Sequence, residues 1–169
     1  MIFRLATHAD IPQMMPLFEA ASLGLRNMGV NQWQNGYPQR SLIESDVESG
    51  VNFVLLDEGE IIGTAVISFG GEPTYDHIEG AWLTTEAEFV VIHRLTIRPD
   101  RRGARLAERL FAEAERMCRE RGVRTMRIDT HEANLPMQRA VERYGFRRCG
   151  VIYLDNGDPR LAYEKPLDE

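Results

Sequence analysis

The sequence predicts an α/β fold: one domain over residues 1–169, with a mixed sheet and helices on both faces. Three observations predict it. The 169 residues suit one hydrophobic core and contain no repeat, linker or low-complexity tract. Strand-like runs and helical periods follow one another in the order βααβββαβαββ. The run 92–107 reads as an apolar strand, a Pro-marked turn and a glycine-containing entry into an amphipathic helix. After that turn Leu106, Leu110, Phe111, Ala114, Met117 and Cys118 recur on one helical face.

Ile2–Leu5 is a short strand. Thr7 followed by Asp10 is a capping-box signal for a first helix that turns Ile11, Met14, Leu17, Phe18 and Ala21 inward. Residues 28–38 read as a loop, and Arg40–Glu48 as a second helix stopped by Gly50. Residues 51–56 and 61–69 form a hairpin across Asp57-Glu58-Gly59-Glu60. An excursion over 70–85 follows, holding Pro73, Tyr75, His77 and Trp82, and loops of that length are often functional. Residues 88–97 are the central strand, and the junction helix then runs to about Arg121. A strand over 124–130 and a helix over 135–143, ended by Gly145, come next. Two final strands, 146–154 and 160–164, flank the turn Asp155-Asn156-Gly157-Asp158.

Composition bounds the function. A hydrophobic content of 43% with 27% charged residues is that of an ordinary soluble protein. Cys118 and Cys149 have no closely spaced partner, which points to buried thiols in a reducing compartment. Arg4 and His8 interrupt any apolar run at the N-terminus, and no segment reaches membrane-spanning length, so a cytoplasmic protein without a membrane partner is expected. A formal charge of −6 disfavours nucleic acid as a partner, because that binding rests on neutralising phosphates. It mildly favours a cationic acceptor such as an amine. No His, Cys, Asp and Glu spacing supports a metal site.

The strand–turn–helix junction aims unpaired backbone N–H groups and the positive end of a helix dipole at one point, a ready site for a phosphate or pyrophosphate. Its residues resemble the acyl-CoA-binding motif of the GNAT superfamily of N-acetyltransferases, Arg/Gln, any two, Gly, any one, Gly/Ala. Arg102 and Ala107 fit the outer positions, Gly103 stands beside the arginine, and Arg105 replaces the central glycine. Asn134, eleven residues before Gly145-Phe146, resembles the family's Asn-to-Gly-Phe helix. The resemblance runs from Arg4-Leu5-Ala6-Thr7 to Tyr163. It implies a single GNAT-like domain with a largely antiparallel sheet, acetyl-CoA as cosubstrate, no metal, and a monomer or homodimer.

The resemblance also distributes roles. Arg102, Gly103, Ala104, Arg105, Leu106 and Ala107 would hold the diphosphate; right-handed helical angles do not require glycine, so Arg105 is expected to keep its N–H in place. A backbone N–H near Leu95 would stabilise the oxyanion, and Ile97 would pair the pantetheine arm. Asn134 would cap its helix, hold the pantetheine amide, or do both. Acetyl transfer needs a free amine, yet an alkylamine of pKa about 10.4 is only about one part in a thousand neutral at pH 7. His93 is the candidate base, placed by strand alternation on the face of Leu95 and Ile97; a hydrogen-bonded core histidine is the other reading. The family often carries an acidic tyrosine seven residues after the asparagine. Here that position is Val141, which leaves Tyr144, Tyr153 or water as the acid, with packing the competing role for both tyrosines. Trp33, Tyr75 and Trp82 lie in the two loops that border the acceptor in this family, with loop-anchoring packing the other reading, and Asp129, ending the strand that the resemblance puts beside the cofactor, is a candidate acceptor ligand. The implied activity is acetyl-CoA-dependent N-acetylation of a primary amine on a small molecule, by direct transfer. Acetylation of a protein or peptide N-terminus and a non-catalytic acyl-CoA-binding module are the alternatives.

Overall fold

Residues 1–168 are described in a computed structural model. The elements, in chain order, are β1 (Ile2–Leu5), α1 (Ile11–Asn27), α2 (Arg40–Glu48), β2 (Asn52–Asp57), β3 (Glu60–Ser68), β4 (Glu79–Gly80), β5 (Val90–Ile97), α3 (Leu106–Arg121), β6 (Thr125–Thr130), α4 (Leu135–Tyr144), β7 (Arg147–Tyr153) and β8 (Pro159–Pro166). Short 3₁₀ turns stand at His8–Asp10, Pro73–Tyr75 and Pro99–Arg101. Contacts divide the chain into two units, Met1–Ile67 with Arg94–Leu110, and Ser68–His93 with Phe111–Glu169.

In the first unit Asp10 accepts the Thr7 N–H at 2.7 Å, as their spacing predicts, and also takes the Arg4 guanidinium at 2.7 Å. From this start α1 buries Ile11, Met14, Leu17 and Phe18 against Ile43 and Val47 of α2 and Val54 of β2. Each such side chain contributes about 1.5–3 kcal/mol when removed from water. The sheet segment runs β1-β2-β3 and then β5. The β1–β2 pair and the β2–β3 hairpin are both antiparallel, with Leu5 opposite Phe53 and Asn52 opposite Val66.

The second unit begins its sheet with Val90 and Val91 of β5, parallel to Met126 and Arg127 of β6. From β6 the order is β8, β7 and β4, every pair antiparallel. The class is thus α/β with a mixed, largely antiparallel sheet, as predicted. Gly145 adopts φ +103° and closes α4, a conformation that favours glycine. Two-residue β4 is additional to the predicted order; a segment that short carries no periodicity to read.

The excursion 70–85 is anchored. Glu164, fully buried, accepts the Leu83 N–H at 2.7 Å and the Thr125 hydroxyl at 2.8 Å, and also bonds the Thr84 hydroxyl. The Arg127 guanidinium lies 4.2 Å from the Trp82 ring centre and 4.1 Å from that of Phe89. Among the described residues no helix is long and apolar enough to cross a membrane.

Candidate active site

In the first unit, residues 98–105 join β5 to α3. The N–H groups of Arg101 and Arg102 fold back onto the carbonyls of Arg98 and Pro99. Arg98 bonds Asp100 and Glu60, each at 2.7 Å, and Arg101 bonds Asp57 at 2.8 Å, so the turn is pinned by side chains. Gly103 then adopts φ +86°, and a Cβ there would meet nothing within 4 Å; the backbone angle is what favours glycine. The N–H groups of Gly103 and Ala104 find no acceptor among the described residues, and the first turn of α3 adds its own orphan donors. With 16 residues behind it, α3 also contributes a positive dipole end, and the cradle fits a diphosphate.

Arg105 corrects an expectation. Its φ is +55°, left-handed rather than right-handed helical, so the family's glycine position here holds a strained arginine just before Leu106. Leu106 is buried, Ala107 partly so. The Arg102 guanidinium lies beside α1: a Cβ on Gly24 would sit 3.4 Å from its Nη2.

Along β5, Leu95 is buried and the Ile97 side chain packs at Gly63 of β3. Arg94 between His93 and Leu95 has φ +47°, the geometry of a bulge, and this breaks the two-residue repeat. The alternation that put His93 on the face of Leu95 and Ile97 therefore does not carry across Arg94. Its guanidinium forks onto Asp46 of α2 at 2.8 and 3.0 Å and reaches the Tyr37 hydroxyl at 3.0 Å. Trp33, also in this unit, tilts against Phe18 at 5.9 Å, and its carbonyl accepts from Ser22.

In the second unit His93 is partly exposed, with Nε2 3.3 Å from Glu72 Oε2. The hydrogen bond to His93, helped by those from Thr74, holds the Glu72 carboxyl down at about 2 against the burial that pushes it up. The parallel ladder between β5 and β6 ends at Val91 and Arg127, so His93 and Asp129 both stand beyond it. Tyr75 is buried and donates its hydroxyl to Asp129 Oδ2 at 2.6 Å. Burial raises the Asp129 carboxyl, opposed first by the Tyr75 hydrogen bond and also by the nearby Arg160 charge. Trp82 packs on Tyr75 and donates its indole N–H to the Tyr75 carbonyl at 3.1 Å. The unit thus gathers His93, Tyr75, Trp82 and Asp129 from the predicted residues and adds Glu72, which sequence reasoning missed. A glutamate immediately before Pro73-Thr74, able to cap the 3₁₀ turn, was the available signal.

Tyr144 is a second correction. Its hydroxyl donates to Glu115 at 2.8 Å, its ring packs between Phe111 and Phe146, and Lys165 Nζ lies 4.4 Å from the ring centre. It ends α4, about 15 Å along the axis from Asn134 at about 1.5 Å per residue. Burial raises its phenol first, reinforced by the bond to Glu115, and a proton held that tightly suits packing rather than acid work. Tyr153 bonds Glu79 at 3.0 Å. Asn134 caps α4, its Oδ1 accepting the Met137 N–H at 3.3 Å. Cys118 is buried, and burial pushes its thiol up to about 12.

The sequence profile of the acetyltransferase (GNAT) family matches residues 17–146. A crystal structure of a GNAT-family acetyltransferase from Streptococcus agalactiae 2603 superposes with a TM-score of 0.89 at 34% identity, covering 99% of this chain and 96% of that one. A phosphinothricin acetyltransferase from Sinorhizobium meliloti, solved with AcCoA, shares the fold at 20% identity and a TM-score of 0.71, over 99% of this chain and 89% of its own. A Bacillus subtilis (strain 168) protein, named as a candidate ribosomal protein bS18-alanine N-acetyltransferase, is 29% identical over 93 residues, 53% of this chain. That match spans 60% of the relative's length.

Proposed function

Because the chain belongs to the acetyltransferase (GNAT) family, and so to the acyltransferases, we propose that it moves the acetyl group of acetyl-CoA directly onto a primary amine of a small molecule. The observation that carries this reading is His93, paired with Glu72. In this reading the main chain of residues 102–107 receives the diphosphate, Ile97 pairs the pantetheine arm, and Asn134 meets its amide. His93 takes one proton from the ammonium, the neutral nitrogen attacks the thioester carbonyl and then releases its second proton to water, and the Leu95 N–H stabilises the oxyanion. The C–N bond forms, the C–S bond breaks, and the departing thiolate takes a proton from water. The Glu72 carboxylate suits an acceptor that arrives as a cation.

The Bacillus subtilis relative favours a second reading, in which the amine is the N-terminus of a protein. Thiol release from acetyl-CoA with a panel of small amines and peptides beginning with alanine tests both. A higher kcat/KM for the peptides overturns the small-molecule reading. His93→Ala is expected to lower kcat for an alkylamine at least about tenfold, from the 10²–10⁴ typical of a positioned base, while acetyl-CoA still binds. Part of that loss returns at higher pH, where more amine is already neutral. An unaltered rate–pH profile removes His93 from the proton transfer.

A further inference from the structure

Glu72 does two things with two oxygens. Oε1 accepts the Thr74 N–H at 3.3 Å and the Thr74 hydroxyl at 2.9 Å, capping the turn Pro73–Tyr75. Oε2 faces His93 Nε2 at 3.3 Å. The first pair of bonds fixes the carboxylate, and Tyr75, one residue after Thr74, is itself buried and tied to Asp129. A carboxylate held this way can only accept from the ring nitrogen it faces. We propose that Glu72 is a positioning residue that keeps the proton of neutral His93 on Nε2 and leaves Nδ1 as the atom that receives the proton of the acceptor amine. The inference rests on His93 being the base.

A neutral imidazole has one donor and one acceptor nitrogen, and the partner of one decides the role of the other. With Nε2–H given to Glu72, the lone pair is on Nδ1. When Nδ1 takes the proton from the amine, the imidazolium keeps its Nε2–H bond to a carboxylate, so the charge formed during transfer is stabilised where it forms. No electrons are exchanged, and the proton passes from Nδ1 to solvent after the acetyl group has moved. Among the described residues the other charged groups near this pair include Asp129, on which Arg160 and Glu72 act, and Arg127, which acts on Tyr75. Tyr75 separates none of these charges by titrating, since burial and Asp129 hold its phenol well above the ordinary range.

The test is Glu72→Gln. The amide oxygen retains the cap on Thr74 and turns the NH₂ group toward His93, which makes Nε2 an acceptor and drives the proton to Nδ1. Nitrogen-15 NMR of His93 in the neutral protein reads the tautomer without any substrate. Wild type is expected to carry the proton on Nε2, and the variant on Nδ1. With an alkylamine, kcat should fall at least about tenfold, acetyl-CoA affinity should stay within about threefold, and the rate–pH profile should differ from that of wild type. The same tautomer in both proteins, or a wild-type proton on Nδ1, overturns the proposal. If His93→Ala itself leaves the profile unaltered, the base reading has failed instead. A change in profile with His93→Ala but none with Glu72→Gln sinks the positioning role alone. Circular dichroism of Glu72→Gln confirms that the variant is folded; if it is not, Thr74→Val, which keeps the carboxylate but loosens it, must still show a mixture of tautomers.

Discussion

Arg94 occupies φ +47°, which costs a side-chain-bearing residue about 1–2 kcal/mol. The fork onto Asp46 holds it there, with side chains only 14% and 10% exposed, so neither charge is well hydrated without the other. Removing one partner from such a pair leaves an uncompensated charge. Asp46→Ala should therefore cost roughly 3 kcal/mol in urea unfolding, the low end of the range for buried pairs because both groups retain some solvent. Asp46→Asn, which still accepts one hydrogen bond, should cost less. A loss below about 1 kcal/mol for the alanine variant would mean that the bulge holds itself. This pair was not legible in the sequence: its members lie 48 residues apart, and a bulge leaves no mark in an apolar run. For the same reason alternation does not fix the face of His93, while the residue type still pointed to it as a base.

At the scale of elements, the junction between β5 and α3 was legible because its determinants are local: Pro99 opens the turn, Gly103 permits φ +86°, and apolar spacing starts the helix. The capping pair Thr7 and Asp10 and the glycine stop at Gly145 were legible for the same reason. Arg127 and Glu164 were not, since their partners come from distant elements and no periodicity records them; Glu72 showed only its local cap on Thr74, not its approach to His93. If the cradle holds the diphosphate, Gly103→Val should weaken acetyl-CoA binding strongly in calorimetry, because a β-branched residue resists the left-handed angle and drags the N–H groups of 103 and 104 away. Arg105→Gly should keep affinity within about tenfold, roughly 1.4 kcal/mol, since the main chain provides most contacts. It should also raise stability by about 1 kcal/mol by removing the strain at φ +55°. Unchanged affinity in Gly103→Val would remove the cradle from cofactor binding. A much larger loss in Arg105→Gly would make the arginine side chain a principal ligand.

For the whole molecule, the formal charge of −6 means that acid neutralises an excess of carboxylates, and several of these are bound rather than free. In the first unit the Arg4 guanidinium holds Asp10 down at about 2, against a burial penalty. In the second, burial pushes Glu115 up, and hydrogen bonds from Lys165, Arg119 and Tyr144 more than reverse it, leaving it at about 2. A carboxyl whose folded value lies below its unfolded one binds fewer protons folded than unfolded. Its contribution is complete above the unfolded value of about 4 and disappears as pH falls toward about 2. Each should supply about 1–2 kcal/mol, less than the full linkage figure because Arg4 is 40% and Arg119 50% exposed. Urea unfolding at fixed ionic strength should therefore give a stability that is level from pH 7 to about 5.5 and falls through the window from about 5 to 2. Asp10→Asn and Glu115→Gln should each be less stable than wild type at pH 7, and the gap should close on acidification through that window. A gap that stays constant from pH 7 to pH 3 would show that these carboxyls titrate alike in the folded and unfolded chains, and that their ion pairs contribute nothing measurable to the fold.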